Sequence, residues 1–177
     1  EINKSWGEVF MGATMESVLT GYDDPRMSKY YDPANGAVIT WKENDVVKEL
    51  PQLFEYAGSY KGVPQGTGLL SADNRYKECS KSTVSQKTNP ILMTAAEVWF
   101  LRAEAALRGF TSEDVESCYK QGVTTSFAQW DASGVSEYLE SENTPADYVD
   151  TFDKNFDAKA TTSITPKWDN TADNETK

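Results

Sequence analysis

The sequence predicts a mainly α fold, centred on one helix-turn-helix hairpin and completed by long irregular loops and a few short strands. Two segments, residues 91–107 and 113–130, place apolar side chains at steps of three and four, which is the spacing of an amphipathic helix. Gly109 stands between them, where a glycine commonly ends a helix. The loops are predicted from residues 36–89, which are rich in Gly, Ser, Lys and Tyr and show little helical period.

The first helix of the hairpin carries an apolar stripe and a polar stripe. The apolar stripe consists of Leu92, Ala95, Ala96, Trp99, Ala103, Ala106 and Leu107. On the polar side, Glu104 precedes Arg108 by one turn, which is the favourable order for an ion pair on a helix. Glu97 and Arg102 lie nearby, and carboxylates beside arginines can act as general acids or bases in catalysis. Because helical spacing alone produces such pairs, we interpret them as salt bridges that fix the hairpin.

The second helix is predicted to begin just after the glycine turn. Thr111 and Ser112 are candidate N-caps, and Glu113 and Asp114 place negative charge in the first turn, where the helix dipole favours it. The apolar positions that follow are Val115, Cys118, Tyr119, Val123, Phe127 and Trp130. So short a connection makes the two helices antiparallel, in the manner of one tetratricopeptide (TPR-like) unit, although no period of about 34 residues repeats along the chain.

Shorter features flank the hairpin. A helix is expected to end near Gly21, and the following proline turn is expected to be braced by hydrogen bonds from Asp24 and Arg26. Residues 135–139 suit one further helical turn, and residues 163–168 are expected to extend against the hairpin.

The composition excludes several classes of function. The 177 residues include no histidine, which removes the usual general base and the commonest transition-metal ligand. We therefore expect no catalytic residues, no metal site and no cofactor. A net charge of −11 repels nucleic acid and anionic lipid, so neither is an expected ligand. No apolar run approaches the ~20 residues that span a bilayer, so we expect any membrane attachment to come from a segment outside this sequence.

The two cysteines, Cys79 and Cys118, are too far apart in sequence for a CxxC redox or metal motif. We favour two free thiols, because Cys118 occupies a helical position of the buried type. A single disulfide between the two cysteines is the alternative.

Four loop aromatics are the candidate ligand-binding residues: Trp41, Tyr56, Tyr60 and Tyr76. They stand among polar and glycine residues, where an exposed ring could stack on a sugar face and a tyrosine hydroxyl could bond the sugar edge. The competing outcome is a ring folded back onto the body of the protein. The hairpin aromatics have core spacing instead and are interpreted as packing residues: Trp99, Tyr119, Phe127 and Trp130.

Several stretches resemble the SusD/RagB family. Residues 89–106 read NPILMTAAEVWFLRAEAA, which is similar to that family's pattern of a proline, a few apolar residues and then AE-x-x-F-x-RAEA. Further similarity lies in residues 17–27 (SVLTGYDDPRM), 60–64 (YKGVP), 119–123 (YKQGV) and 165–169 (TPKWD).

The resemblance implies that residues 1–177 are an internal fragment of a single SusD-like domain, with the hairpin near 91–130, and belong to a larger SusD-like α-fold. It also implies an extracellular outer-membrane lipoprotein that binds a glycan or related nutrient and passes it to a SusC-like TonB-dependent transporter. On this interpretation the family's lipidated N-terminal segment, earlier helices and C-terminal helix lie outside the sequence. The family offers no binding motif that carries over onto the four loop aromatics.

Two other functions remain open. A carboxylate-pair glycosidase needs no histidine, and the chain has 28 acidic residues, but no spacing selects a pair. The chain could instead be a scaffold that packs on the transporter or on the rest of its own protein without binding a ligand.

Overall fold

A computed structural model of the chain describes residues 9–35, 39–50, 58–68, 74–85 and 87–174. Its regular elements are, in chain order, α1 (Ala13–Gly21), α2 (Met27–Tyr30), β1 (Ile39–Glu43), β2 (Val46–Leu50), α3 (Ala95–Leu107), α4 (Val115–Gln129), α5 (Val135–Leu139) and a 3₁₀ turn (Lys154–Phe156). The prediction of a mainly α fold with long loops and short strands is confirmed.

Helix α3 begins at Ala95, four residues later than the apolar spacing predicts. Thr94 is the N-cap: its hydroxyl accepts a hydrogen bond from the Glu97 amide at 3.0 Å, and the Glu97 carboxylate accepts one from the Thr94 amide. This capping box fixes where the helix starts. Leu92 therefore precedes the helix and is 95% exposed, so its assignment to the apolar stripe is wrong.

The turn between the hairpin helices contains the predicted glycine and an unpredicted cap. Gly109 has φ +76°, and the amides of Gly109 and Phe110 donate to the carbonyls of Ala106 and Ala105, which completes a Schellman motif. The N-cap of α4 is Asp114, whose carboxylate accepts from the Ser117 amide at 2.8 Å. The predicted caps at residues 111–112 are wrong, because the link extends two residues further before the helix begins.

The two helices pack as an antiparallel pair. Close to the turn, Arg102 forms an ion pair with Glu113. Farther from it, Phe100 lies against Gly122, where an added Cβ would sit 2.6 Å from the Phe100 ring. The inner face of α4 is buried at Cys118, Gly122, Val123 and Phe127.

The segments around the hairpin attach to it through specific contacts. Tyr30 on α2 meets the Trp130 ring edge-on at 4.7 Å between centroids. The Tyr119 hydroxyl donates to the Pro166 carbonyl, which holds residues 163–168 against α4 as expected. Cys79 and Cys118 are both buried and are not joined by a disulfide, so the preference for two thiols over a bridge is confirmed. Each helix of the described residues is too short or too polar to span a bilayer.

A second core lies under the loops. It contains Ala34, Tyr76 and Cys79, with Phe10, Trp41, Val63 and Phe152 packed around it. Isolated backbone bridges join its segments: Phe10 to Lys81, Gly12 to Val63 and Tyr31 to Ser82. The loops of the sequence therefore form a packed layer beside α1.

Candidate functional site

Tyr60 stands on a loop whose backbone is fixed on both sides. The amide of the next residue, Lys61, donates to the Ser80 hydroxyl at 3.0 Å, and the Ser80 amide donates back to the Lys61 carbonyl at 2.9 Å. Two residues further on, the Val63 amide donates to the Met11 carbonyl at 2.8 Å. Tyr60 is thus held on a rigid support, as ligand contacts on loops require.

Buried polar side chains strengthen this support. Glu16, only 9% exposed, accepts from the Lys61 ammonium at 2.7 Å and from the Gly62 amide. The Tyr148 hydroxyl oxygen lies 3.1 Å from the Gly62 carbonyl oxygen. A side chain at Gly62 would place its Cβ 2.7 Å from the Gly12 carbonyl oxygen, so the close approach of α1 requires glycine there.

The Tyr60 side chain itself is partly buried and lies near the carboxylate of Asp32. Burial first, and the Asp32 charge second, raise the pKa of Tyr60 above its ordinary value. Its hydroxyl therefore keeps its proton at neutral pH and is a hydrogen-bond donor as well as an acceptor.

Trp41 lies in the middle of β1, opposite Lys48 of β2. It is partly buried, and its ring meets Phe152 edge-on, with 5.9 Å between centroids and 81° between planes. The neighbouring positions Thr40 and Lys42 are exposed, so Trp41 is the residue that anchors this strand to the loop core.

Tyr76 is inside the loop core and is 2% exposed. Its hydroxyl lies 3.1 Å from an Asp150 carboxylate oxygen and its ring meets Phe152 at 5.0 Å. Burial, and then the Asp150 charge, raise the pKa of Tyr76 to about 12. A ring enclosed in this way presents no open face for stacking, and the structure gives Tyr76 a packing role.

Phe152 therefore brings Trp41 and Tyr76 together, whereas Tyr60 lies on a different part of the loop layer. Tyr56 lies outside the described residues. The assignment of ligand binding to Trp41 and Tyr60 stays a prediction.

Beside Tyr60 the structure shows a polar groove that the sequence analysis did not find. It has a volume of about 250 Å³ and is lined by Asp32, Pro33, Asn35, Lys77, Glu78, Cys79 and Lys81. Two segments more than forty residues apart form its walls, and no local pattern in either segment signals that they meet. One wall has an Asp-Pro-x-Asn sequence at residues 32–35, which is typical of a turn and does not indicate the second wall.

A larger cleft of about 970 Å³ lies between the hairpin and the segment that follows it. Phe100, Tyr119 and Trp168 line it, with 6.2 Å between the first two ring centroids and 5.5 Å between the last two. Glu104 and Arg108 stand at its rim and form an ion pair with each other at 2.8 Å. Tyr119, interpreted from the sequence as a packing residue, contributes to this cleft as well as to the hairpin.

The buried carboxylates of the described residues, those of Glu16, Asp24 and Asp150, form structural bonds. Asp24 pairs with Arg26, Glu16 with Lys61, and Asp150 accepts from two tyrosine hydroxyls and two backbone amides. Within the same residues, no group of three or more Cys, Asp or Glu side chains is arranged to hold a metal ion.

Comparison with known proteins identifies the family. The profile of SusD-like proteins, described as the SusD and RagB outer membrane lipoproteins, matches residues 1–177. This chain belongs to the SusD-like family. No protein with curated annotation matches it.

Several solved SusD homologues share the fold. One from Bacteroides vulgatus is 41% identical, with a TM-score of 0.79, over 96% of this chain and 32% of its own. A chitin-binding SusD homologue from Flavobacterium johnsoniae is 31% identical, with a TM-score of 0.79, over 99% of this chain and 33% of its own. One from Bacteroides thetaiotaomicron is 30% identical, with a TM-score of 0.76, over 95% of this chain and 32% of its own. The chain thus spans about a third of the length of these SusD homologues.

Proposed function

We propose that this SusD-like protein binds a neutral oligosaccharide at the outer face of the outer membrane and delivers it to a SusC-like TonB-dependent transporter. The observation that carries the proposal is the family match over residues 1–177, together with a chitin-binding homologue that aligns over 99% of the chain. The lipid anchor and the transporter contact belong to the proposal as properties of the whole protein.

The geometry of the loops supports a binding role. Tyr60 is partly exposed on a support fixed by Lys61, Ser80 and Glu16, so a sugar that stacks on its ring need not order the loop first. Preorganisation of this kind lowers the entropic cost of binding. Trp41 offers the second candidate ring, on the strand that packs against the same layer.

The glycosidase alternative is less well supported. Such enzymes need two carboxyl groups on opposite sides of one bond, about 5–10 Å apart and free to exchange protons. Acidic residues of the hairpin already have structural partners, since Glu97 caps α3 and Glu104 pairs with Arg108. A role in binding and presentation agrees better with these contacts.

The test is a titration of the full-length protein with the hexasaccharide of chitin and a panel of other neutral oligosaccharides by isothermal calorimetry, followed by chromatography of the recovered sugar. We expect saturable binding of at least one oligosaccharide, which is recovered intact. Cleaved sugar that depends on the protein would favour the glycosidase. Absence of binding across the panel would contradict the proposal.

A further inference from the structure

The polar groove beside Tyr60, defined above by its seven lining residues, has a fixed frame. Its two walls are hydrogen-bonded to each other: the Asp32 amide donates to the Lys81 carbonyl at 2.8 Å, and the Asn35 amide donates to the Glu78 carbonyl at 2.9 Å. These bonds occupy backbone groups of both walls. A molecule entering the groove therefore meets mainly side chains.

We propose that this groove is a subsite that binds the hydroxyl groups of a single neutral sugar ring, next to a ring stacked on Tyr60. The inference rests on the proposed function, and it names the part of the ligand that the groove recognises. Asp32 connects the two features, because its carboxylate lines the groove and acts electrostatically on the Tyr60 hydroxyl.

The hydrogen-bonding groups of the groove match hydroxyls. Asp32 accepts no side-chain hydrogen bond from the described residues, so both of its carboxylate oxygens can accept from a ligand. The Asn35 amide donates to one oxygen of Glu78 at 3.0 Å, which leaves the other oxygen of that carboxylate available. Adjacent hydroxyls of a sugar are donors at the spacing that a carboxylate can accept as a pair, and bonds to a charged acceptor are stronger than neutral ones.

The charges of the groove favour a neutral ligand. Lys77 and Lys81 balance Asp32 and Glu78, so the lining carries no net charge. The chain as a whole carries −11, which repels an anionic sugar at long range. An uncharged sugar ring is not repelled in this way, and its hydroxyls can still donate hydrogen bonds to the Asp32 and Glu78 carboxylates.

The size of the groove limits what it holds. Its volume of about 250 Å³ is below the ~300–1,000 Å³ of pockets that enclose a drug-sized ligand. One sugar ring fits this space better than a longer segment does. The rest of an oligosaccharide would continue outward past Tyr60.

The experiment compares three isosteric variants of the full-length protein in calorimetric titrations with the hexasaccharide of chitin. Asp32→Asn and Glu78→Gln each replace a charged acceptor in the groove. Asp131→Asn is the matched control, because Asp131 is fully exposed and has a positive φ that asparagine also adopts. Among the described residues, its side chain makes only a long 3.9 Å ion pair with Lys29. Circular dichroism verifies that each variant is folded.

We expect Asp32→Asn and Glu78→Gln each to weaken binding by about tenfold, with Asp131→Asn within twofold of the wild type. If both groove variants bind as tightly as the wild type, the subsite is wrong, and the proposed function stands because the wild type still binds the sugar. If the wild type binds no oligosaccharide of the panel, both the proposed function and the subsite are wrong.

Discussion

Arg26 is a single residue that joins the α1–α2 turn to the hairpin and, through the Tyr138 ring 5.2 Å from its guanidinium, to α5. Its guanidinium donates to Asp24 at 2.9 Å and to the Ser126 hydroxyl at 2.8 Å, and it lies 4.6 Å from the centre of the Phe127 ring. The Asp24 side chain is 3% exposed, so Arg26 is paired with a carboxylate that is shielded from water. The sequence predicts the bracing of the proline turn, but the contacts to α4 come only from the fold.

Replacement of Arg26 by alanine should therefore strongly destabilise the protein. We expect a loss of about 3–5 kcal/mol in the free energy of unfolding, because Asp24 would keep a buried charge without its partner. Chemical denaturation measures this. Arg108→Ala, which removes an exposed pair with Glu104, should cost no more than about 0.5 kcal/mol. Similar losses in the two variants would show that burial of the Asp24 pair does not matter.

Tyr76 gives a prediction for the dependence of stability on pH. Its pKa rises from 10.0 to about 12 in the folded protein, because burial and the Asp150 charge disfavour the phenolate. A group whose folded pKa is raised contributes stability that is complete below the unfolded pKa and is lost as pH rises through the folded pKa. We expect the free energy of unfolding to fall between pH 10 and about 12.

The variant Tyr76→Phe isolates this contribution. It should be less stable than the wild type at neutral pH, since it lacks the hydrogen bond to Asp150, and it should lose less stability on going to alkaline pH. Denaturation curves recorded at a series of pH values measure both effects. An unchanged alkaline slope would mean that Tyr76 ionises in the folded protein as freely as in the unfolded chain.

At the scale of elements, local sequence signals predict that α3 and α4 are helices. They do not predict the residue at which each helix begins. Apolar spacing and Gly109 suffice to predict α3 and α4. The first residue of each helix depends on which side chain serves as the N-cap. Thr94 is the N-cap of α3, and Asp114 is the N-cap of α4. Alternative caps of similar quality stood nearby in sequence, so spacing alone could not choose between them.

The two ends of α1 give a sharper test, because the glycines there, Gly12 and Gly21, differ in their surroundings. At Gly21 an added Cβ would lie 2.2 Å from the Ala146 amide nitrogen and 2.4 Å from the Thr144 carbonyl oxygen, both of them backbone atoms that cannot turn aside. At Gly12, just before the helix, an added Cβ would have nothing within 4 Å.

We expect Gly21→Ala to lower the free energy of unfolding by more than about 2 kcal/mol, because residues 144–146 must move away from the helix. Gly12→Ala should be neutral or stabilising by up to about 1 kcal/mol, since it restricts the unfolded chain. Equal midpoints in thermal denaturation for the two variants would contradict the packing of α1 against this segment.

At the scale of the whole molecule, the sequence predicts the fold class and the family but not the arrangement of the loop layer. Tyr76 looked like a loop aromatic available to a ligand, yet Asp150, seventy-four residues away, holds its hydroxyl inside a core. The polar groove was missed for the same reason, because contacts between distant segments build it. Tyr60 is partly exposed beside a hydrogen-bonded backbone, and ligand binding by its ring stays a prediction.

The central claim is that the loop layer, and not the charged face of the hairpin, binds a neutral oligosaccharide. Calorimetric titration of the hexasaccharide of chitin into the full-length protein and its Tyr60→Ala and Glu104→Ala variants tests it most directly. We expect Tyr60→Ala to weaken binding by about tenfold, through loss of one stacked ring. Glu104→Ala should leave the affinity within twofold of the wild type and lower only the stability. Weaker binding in Glu104→Ala with unchanged binding in Tyr60→Ala would contradict the claim.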